Sequence, residues 1–239
     1  MPRVFVPPEQ LTGERVELAG EAHRHLARVL RIGVGAEVVI FDGRGAEIDG
    51  RVVAVDGRKV TLALGARRRL PPPPVLITLL QVVPRGERMD LVVQKTTELG
   101  VARIVPVLAE RSVALPPARR SGRWQTIAEE AARQSGRAEV PEVSLPLPLP
   151  QALAIAASCD TRLLPWEEER TLPLRRALGG AAPTVALLVG PEGGLALTEV
   201  EQARAAGFVT VSMGPRILRA ETAAIVAVAL VQAAAGGLD

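Results

Sequence analysis

The residues best suited to chemistry in this 239-residue chain lie in two glycine–proline loops, "VGPEGGL" (Val189–Leu195) and "MGPRILRAET" (Met213–Thr222). The first ends an apolar run, gathers three glycines around one proline and one glutamate, and leads into a helical pattern. Gly190, Gly193 and Gly194 have no Cβ, so backbone N–H and C=O groups there can approach a ligand closely. A third loop, "LLPW" (Leu163–Trp166), follows another apolar run, and open parallel sheets bind ligands at the carboxyl ends of their strands. Phosphate cradles fail on sequence: there is no G-x-x-x-x-G-K-[ST], and no G-x-G-x-x-G between a strand and a helix. The G-x-S-x-G elbow of hydrolases is also missing. Backbone groups and apolar side chains suit a thioether-bearing adenosine better than a triphosphate.

The elements that must position these loops divide at "RRRLPPPP" (Arg67–Pro74). Four prolines cannot join a helix or a sheet interior and form a stiff spacer. Residues 1–70 and 75–239 therefore read as two domains joined by 71–74. Before the seam, "AEVVIFDGRGAEIDGRVVAVDGRKVTLAL" spells three strands parted by Asp-Gly turns. "EAHRHLARVLRIG" spells a helix with Ala22, Leu26, Val29 and Leu30 on one face and Arg24, Arg28 and Arg31 on the other. That basic stripe is either a phosphate-binding face or an ordinary solvated one. His23 and His25 lack the cysteine or third histidine that a metal site would need.

After the seam, continuous apolar strands alternate with helices, the pattern of an α/β domain with a parallel sheet covered on both faces. "TEVEQARAAG" carries a capping box from Thr198 to Glu201 and stops at Gly207. "SGRWQTIAEEAARQSGR" puts Trp124, Ile127, Ala128 and Ala131 on one face. The last helix is apolar nearly all round from Ala223 to Val231, so it is either central or packed on another subunit.

Composition excludes several classes. Hydrophobic residues make up 48%, enough for a sizeable core, yet no apolar run approaches the length of a membrane span. "MPRVFVPPEQ" lacks the apolar core of a secretory signal. The single cysteine, Cys159, reads as a small buried hydrophobe and fits a reducing cytoplasm. Residues 1–70 carry 12 Lys and Arg against 9 Asp and Glu, while the remainder is balanced at 17 each, so an anion-binding surface belongs on the N-terminal part. The chain has no asparagine and 20 prolines, a pattern of heat adaptation or of GC-rich coding.

"LLVGPEGGL" and "MGPRILRAETAA", preceded by "QKTTELGVARIVPV", "ERS" and "EAARQSGRAEVPEV", and by "HLARVLR" and "FDG" near the start, resemble the RsmE family. These are methyltransferases of the SPOUT class that modify N3 of a uridine in 16S ribosomal RNA near the decoding site. The resemblance implies a PUA-like RNA-binding β-barrel domain, a trefoil-knotted α/β domain, S-adenosylmethionine as methyl donor, no metal, a homodimer, and the small ribosomal subunit as partner. It makes "VGPEGGL" one wall of the donor pocket. Backbone groups of Val189, Gly190, Met213 and Leu218 would read the adenine edge and the amino-acid end, Leu164, Ile217 and Leu218 would pack the ring, and Pro165, Gly193, Gly214 and Thr222 would complete the wall. Glu192 either helps a turn or faces the sulfonium or ribose. Arg219, next to the donor loop, would stabilise the uracil anion or form a salt bridge with Glu192 or Glu221. Glu221 would take the N3 proton or cap its helix. Lys95, Arg111, Gln134 and Arg137 join Arg24, Arg28 and Arg31 as expected RNA contacts, with Lys95–Glu98 also readable as a plain helix pair. A SPOUT enzyme for another ribosomal or transfer RNA position, and a non-enzymatic RNA-binding assembly factor, are the other readings.

Overall fold

A computed structural model of the chain describes residues 1–112, 118–179 and 182–238. It contains two compact units, Met1–Pro72 with Ala132–Val140, and Pro73–Ala131 with Pro141–Asp239. The stretch 132–140, which the sequence reading leaves in the C-terminal region, is part of the first unit.

The first unit is built on a mixed five-stranded sheet of β1 (Arg3–Phe5), β2 (Arg15–Ala19), β3 (Glu37–Phe41), β4 (Ala46–Val55) and β5 (Lys59–Arg69), in the order β1-β3-β4-β5-β2. Strands β1 and β3 run parallel and the other pairs antiparallel. The three strands expected from the Asp-Gly turns are β3, β4 and β5. Each turn is held by its own aspartate: Asp42 Oδ1 accepts the N–H groups of Arg44 and Ala46, and Asp56 Oδ1 those of Arg58 and Lys59, the local bonding that makes this residue a turn former. Apolar residues of alternate positions, among them Val38, Ile40, Val52, Val60 and Leu62, close the core with Leu26. The arginines before the proline run belong to β5: Arg67 pairs with Asp42, and Arg68 with Glu47 and Asp49.

The expected basic helix begins as α1 (Gly20–His23) and then widens into a π-helical turn over Arg24–Val29, in which the Leu30 N–H reaches back five residues to the His25 carbonyl at 2.9 Å. Widening shifts the side-chain period. Leu26 stays fully buried, but Val29 and Leu30 are 64% and 41% exposed, so the expected four-residue apolar face is split. Arg24, Arg28 and Arg31 are all exposed, and Arg24 lies 3.1 Å from Glu21.

The second unit is a parallel sheet of β6 (Leu76–Val82), β7 (Arg103–Leu108), β8 (Glu142–Val143), β10 (Thr161–Pro165), β11 (Thr184–Val189) and β12 (Val209–Val211), ordered β12-β10-β11-β6-β7-β8, with β9 (Leu147–Pro148) also beside β7. Leu80, Val82, Val105, Val107, Ala186 and Leu188 pack beneath α4 (Leu149–Ala156) and α6 (Leu197–Ala205). The alternate residues Ile77, Leu79, Val185 and Leu187 are equally buried, on the side where α7 (Ala220–Ala234) crosses β11 and β6 and packs on α2 (Arg88–Glu98). Burial on both faces is what continuous apolar strands demand. Buried Trp124, on α3 (Ala118–Ser135), donates its indole N–H to Asp90 of α2.

Two local expectations are corrected. Helix α6 starts at Leu197 with Ala196 as its N-cap, so Thr198 lies inside the first turn; Glu199, not Glu201, reaches back to the N-cap N–H at 2.9 Å. Helix α7 buries one face through Ala220, Ala224, Ala227, Val228 and Val231, while Ile225, Val226, Ala229 and Leu230 are half-buried. Cys159 is buried and its thiol is pushed up by that burial, consistent with an inert packing residue.

Asp42 supplies a stability test. Its carboxylate is buried, accepts two N–H groups and pairs with Arg67. Asp42→Ala would strand those donors, at a cost of about 1–3 kcal/mol, whereas Asp42→Asn keeps the Oδ1 acceptor and should lose less. Urea unfolding of the three proteins should rank them in that order.

Candidate active site

The strand order sets the loops that follow β12, β10, β11, β6 and β7 side by side along one edge of the sheet. Those after β10, β11 and β12 enclose a cavity of about 300 Å³, at the lower end of small-molecule sites. Ten of the residues selected from sequence line it: Leu164, Pro165, Val189, Gly190, Glu192, Gly193, Met213, Gly214, Ile217 and Leu218. Leu164 and Val189 form the buried floor, and Ile217 stands 83% exposed at the mouth. Arg219 and Thr222 are exposed and lie outside the lining. Arg219 is the N-cap of α7, and the first turn of that helix presents Ala220 and Ala223 to the cavity instead.

The segment after β10 contributes residues that sequence reasoning missed. Glu167, Glu169 and Arg170 line the cavity, beside Trp166 of the expected "LLPW" loop. Glu169 Oε1 accepts the Thr171 hydroxyl and the N–H groups of Thr171 and Leu172, and Oε2 accepts the Thr210 hydroxyl at 3.1 Å. The Thr171 hydroxyl, then these backbone N–H groups, hold the Glu169 carboxyl at about 2, below its ordinary 4.5. Arg204 donates to Thr210 at 3.1 Å and lies over the Trp166 ring at 5.0 Å, a cation–π contact. The only sequence signal for this network is the acidic run "WEEER" directly after a pocket strand.

The other end of the glycine loop meets the loops after β6 and β7. Glu192 accepts the Arg85 N–H at 3.1 Å and is ion-paired with the Arg88 guanidinium. Burial raises the pKa of Glu192, but its own N–H, that of Arg85 and the Arg88 side chain outweigh this and lower it. Arg88 Nε also lies 3.9 Å from Glu221 Oε1, while Glu221 Oε2 is buried with no hydrogen-bond partner among the described residues. The carboxylates considered as partners for Arg219 are thus both turned to Arg88, a residue that sequence reasoning passed over. Arg111 donates to the Gly193 carbonyl at 2.9 Å. Buried Glu199 ties the loop after β7 to α6 by accepting both the Glu110 and Ala196 N–H groups. Arg85, Arg88, Glu110, Arg111 and Ser112 line an open groove that shares Glu192 and Gly193 with the cavity.

The remaining expected RNA contacts are not among these lining residues. Lys95 is paired with Glu98 at 2.8 Å, the helix pair allowed for by its spacing. Gln134 is exposed and Arg137 half-buried in the first unit. Burial lowers the Arg137 pKa, opposed by Glu139. Among the described residues, no group of three or more His, Cys, Asp or Glu is placed to hold a metal ion, and no helix is long and apolar enough to cross a membrane.

Comparison with known proteins bears on this geometry. Residues 71–232 match the model of an RNA methyltransferase domain, and residues 18–64 that of an RNA methyltransferase PUA domain. The chain is 33% identical to ribosomal RNA small subunit methyltransferase E of Synechocystis, over 97% of this chain and 77% of that protein. The chain belongs to the ribosomal RNA small subunit methyltransferase E family. The structure of a methyltransferase E from Neisseria gonorrhoeae bound to S-adenosyl methionine is similar with a TM-score of 0.88 and 34% identity, covering 98% of this chain and 97% of that one. A Legionella pneumophila structure with bound cofactor SAM gives a TM-score of 0.83 and 33% identity, with 97% of each chain covered. The PUA match falls on the mixed sheet, and the methyltransferase-domain match spans the whole parallel sheet.

The Glu169 network has a pH signature. Its carboxyl is depressed in the folded protein, so its stabilisation is full above the ordinary value of 4.5 and is lost as pH falls toward about 2. The difference in thermal midpoint between the unaltered protein and Glu169→Gln should be largest above pH 4.5 and shrink steadily toward pH 2.

Proposed function

We propose that this chain transfers a methyl group from S-adenosylmethionine to N3 of a uridine in 16S ribosomal RNA, near the decoding site of the small ribosomal subunit. The observation that carries this reading is the cavity built from three loops at the carboxyl ends of β10, β11 and β12, in a member of a ribosomal RNA methyltransferase family. Its lining fits the donor. Glycines leave the backbone of Gly190 and Gly214 open to it, Leu164 and Leu218 offer apolar surface for an adenine ring, and the absence of a phosphate cradle suits a ligand without phosphates. When bound, the donor supplies an electrophilic methyl group on a sulfonium, so the protein's task is orientation and the fate of the N3 proton. N3 lies on the Watson–Crick edge, and the base must be unpaired or swung out to react.

In this proposal Val189, Gly190, Met213 and Leu218 hold the donor by backbone groups, with Pro165, Gly193, Gly214 and Ile217 closing around it. Glu192 stands at the boundary between the cavity and the groove beside it. Arg219 and Thr222, exposed at the start of α7, are rim residues toward the RNA. Arg24, Arg28 and Arg31 provide phosphate contacts from the PUA-containing unit, joined by Arg111, Lys95, Gln134 and Arg137; with 2% aromatic residues, arginine planes replace ring stacking. A cytoplasmic homodimer with a trefoil-knotted catalytic domain and no metal completes the reading. The half-buried apolar side chains of α7 support the dimer.

Labelled-methyl transfer to small ribosomal subunits lacking the modification, followed by mapping of the product, tests the activity. Label at uridine N3 is expected; label on another ribosomal or transfer RNA position selects a different SPOUT enzyme, and no label selects a binding factor. The donor pocket is tested at Gly190. A Cβ added there would meet only ordinary contacts, the nearest being Leu195 at 3.5 Å, so Gly190→Val should fold while its side chain fills donor space. Calorimetry should give donor binding weaker by about 1.4 kcal/mol or more, tenfold in Kd. Gly214 is a poorer probe, because its φ of +101° strains any side chain regardless of ligand.

A further inference from the structure

Apart from the shared Glu192 and Gly193, the groove beside the donor cavity has no part in holding the donor as described above, yet five of its seven lining residues are charged. Arg85, Arg88 and Arg111 line it together with Glu110 and Glu192. The register explains its place: β11 pairs with β6, and β6 with β7, so the loops after β6 and β7 continue the row beyond the glycine loop. Glu192 and Gly193 belong to both compartments. Gly193 has no side chain, and the boundary there is backbone, pinned by Arg111 through its carbonyl. The groove and the cavity therefore adjoin at these two residues, so that a group seated in one can meet a group seated in the other.

Arg88 is the best-placed cation in this groove. It sits at the first position of α2 and is fixed from two sides, by the Glu192 ion pair and by Glu221 Oε1 at 3.9 Å from its Nε. Its side chain is nevertheless 40% exposed. Its Nη1 is turned to Glu192 and its Nε toward Glu221, which leaves the Nη2 edge of the fork for an acceptor. Pre-positioned donors aimed at developing negative charge are the most effective catalytic device available to a protein. Two carboxylates that set a guanidinium and still leave it accessible match that description.

We propose that this groove receives the acceptor base, and that Arg88 is a catalytic residue whose guanidinium binds the uracil anion through a carbonyl oxygen beside N3, leaving the N3 electron pair free. The proposal rests on the uridine-N3 reading above. The N3–H proton passes to solvent water in the open groove. The N3 electron pair then forms the N–C bond to the donor methyl as the S–C bond breaks, and the sulfonium leaves as a neutral thioether. Glu192 and Glu221 are positioning residues that act through Arg88. Arg85 and Arg111 carry the flanking phosphates.

The test uses two readouts. In single-turnover methyl transfer to unmodified small subunits with saturating donor, Arg88→Ala should lower the rate about a hundredfold, the loss typical of removing one such donor. Donor affinity should change by no more than about threefold. Arg88→Lys should recover only part of the rate, because an ammonium lacks the planar fork that lets Glu192 and Glu221 fix one edge while another meets the base. The second readout needs no turnover. In donor-free protein, fluorine NMR of 5-fluorouridine monophosphate should show binding that strengthens as pH rises through ionisation of its acidic N3, and this strengthening should vanish in Arg88→Ala. A rate within about threefold of the unaltered protein, or the same pH-dependent binding in both proteins, would overturn the assignment. If the unaltered protein binds no donor or leaves uridine N3 unmethylated, the functional reading itself fails, an outcome distinct from an active enzyme indifferent to Arg88.

Discussion

Everything at this site depends on the pairing of β11 with β6. The two strands run parallel in unbroken register from Thr184 opposite Leu76 to Val189 opposite Gln81. Their carboxyl ends therefore finish level, and the chain leaves both at the same height above the sheet. One exit carries the glycine loop and the other the arginine loop. Buried aliphatic residues on both faces fix that register, since a slip of one residue would turn every side chain to the wrong layer. The polar site is held in place by an apolar sheet that takes no part in it.

On that platform, charge is arranged so that each carboxylate has a task. Glu192 joins the exits of β11 and β6, Glu199 joins the exit of β7 to α6, and Glu169 folds the segment after β10 onto Thr210. Each satisfies backbone N–H groups that would otherwise be left open at a loop, and backbone donors to a carboxylate are among the stronger hydrogen bonds. The loops around the cavity are thus held by acidic residues, while the surfaces facing the groove are rich in arginine.

Much of this was legible in the sequence wherever the signal was local. Asp42 and Asp56 bond to their own turns, so "DGRG" and "DGRK" marked the hairpins. Apolar runs between helices marked the parallel sheet, and the two Gly-Pro loops marked the cavity. What stayed hidden depended on distance or on small backbone choices. Glu192 and Arg88 are 104 positions apart, and no spacing rule links them. The π-helical turn at Arg24–Val29 adds a fraction of a residue per turn, enough to expose Val29 and Leu30 while the residue pattern still reads as an ordinary helix. The capping box was displaced because Ala196, which has no side-chain acceptor, holds the N-cap position and the Glu199 carboxylate alone supplies the bond.

The allotment of residues 132–140 to the first unit has a consequence for how the chain is made. Phe41 is buried in one cluster with Ala132 and Ala138, Val140 donates its N–H to the Gly43 carbonyl, and Arg3 donates to the Arg137 carbonyl. During synthesis the mixed sheet can therefore begin to form early but cannot be finished until residue 140 has left the ribosome. By then β6, β7 and the whole of α3 have already emerged. N-terminal domains generally complete first as a chain is made; here the two units must mature together, and cutting the chain at the proline run would leave one sheet with an open flank.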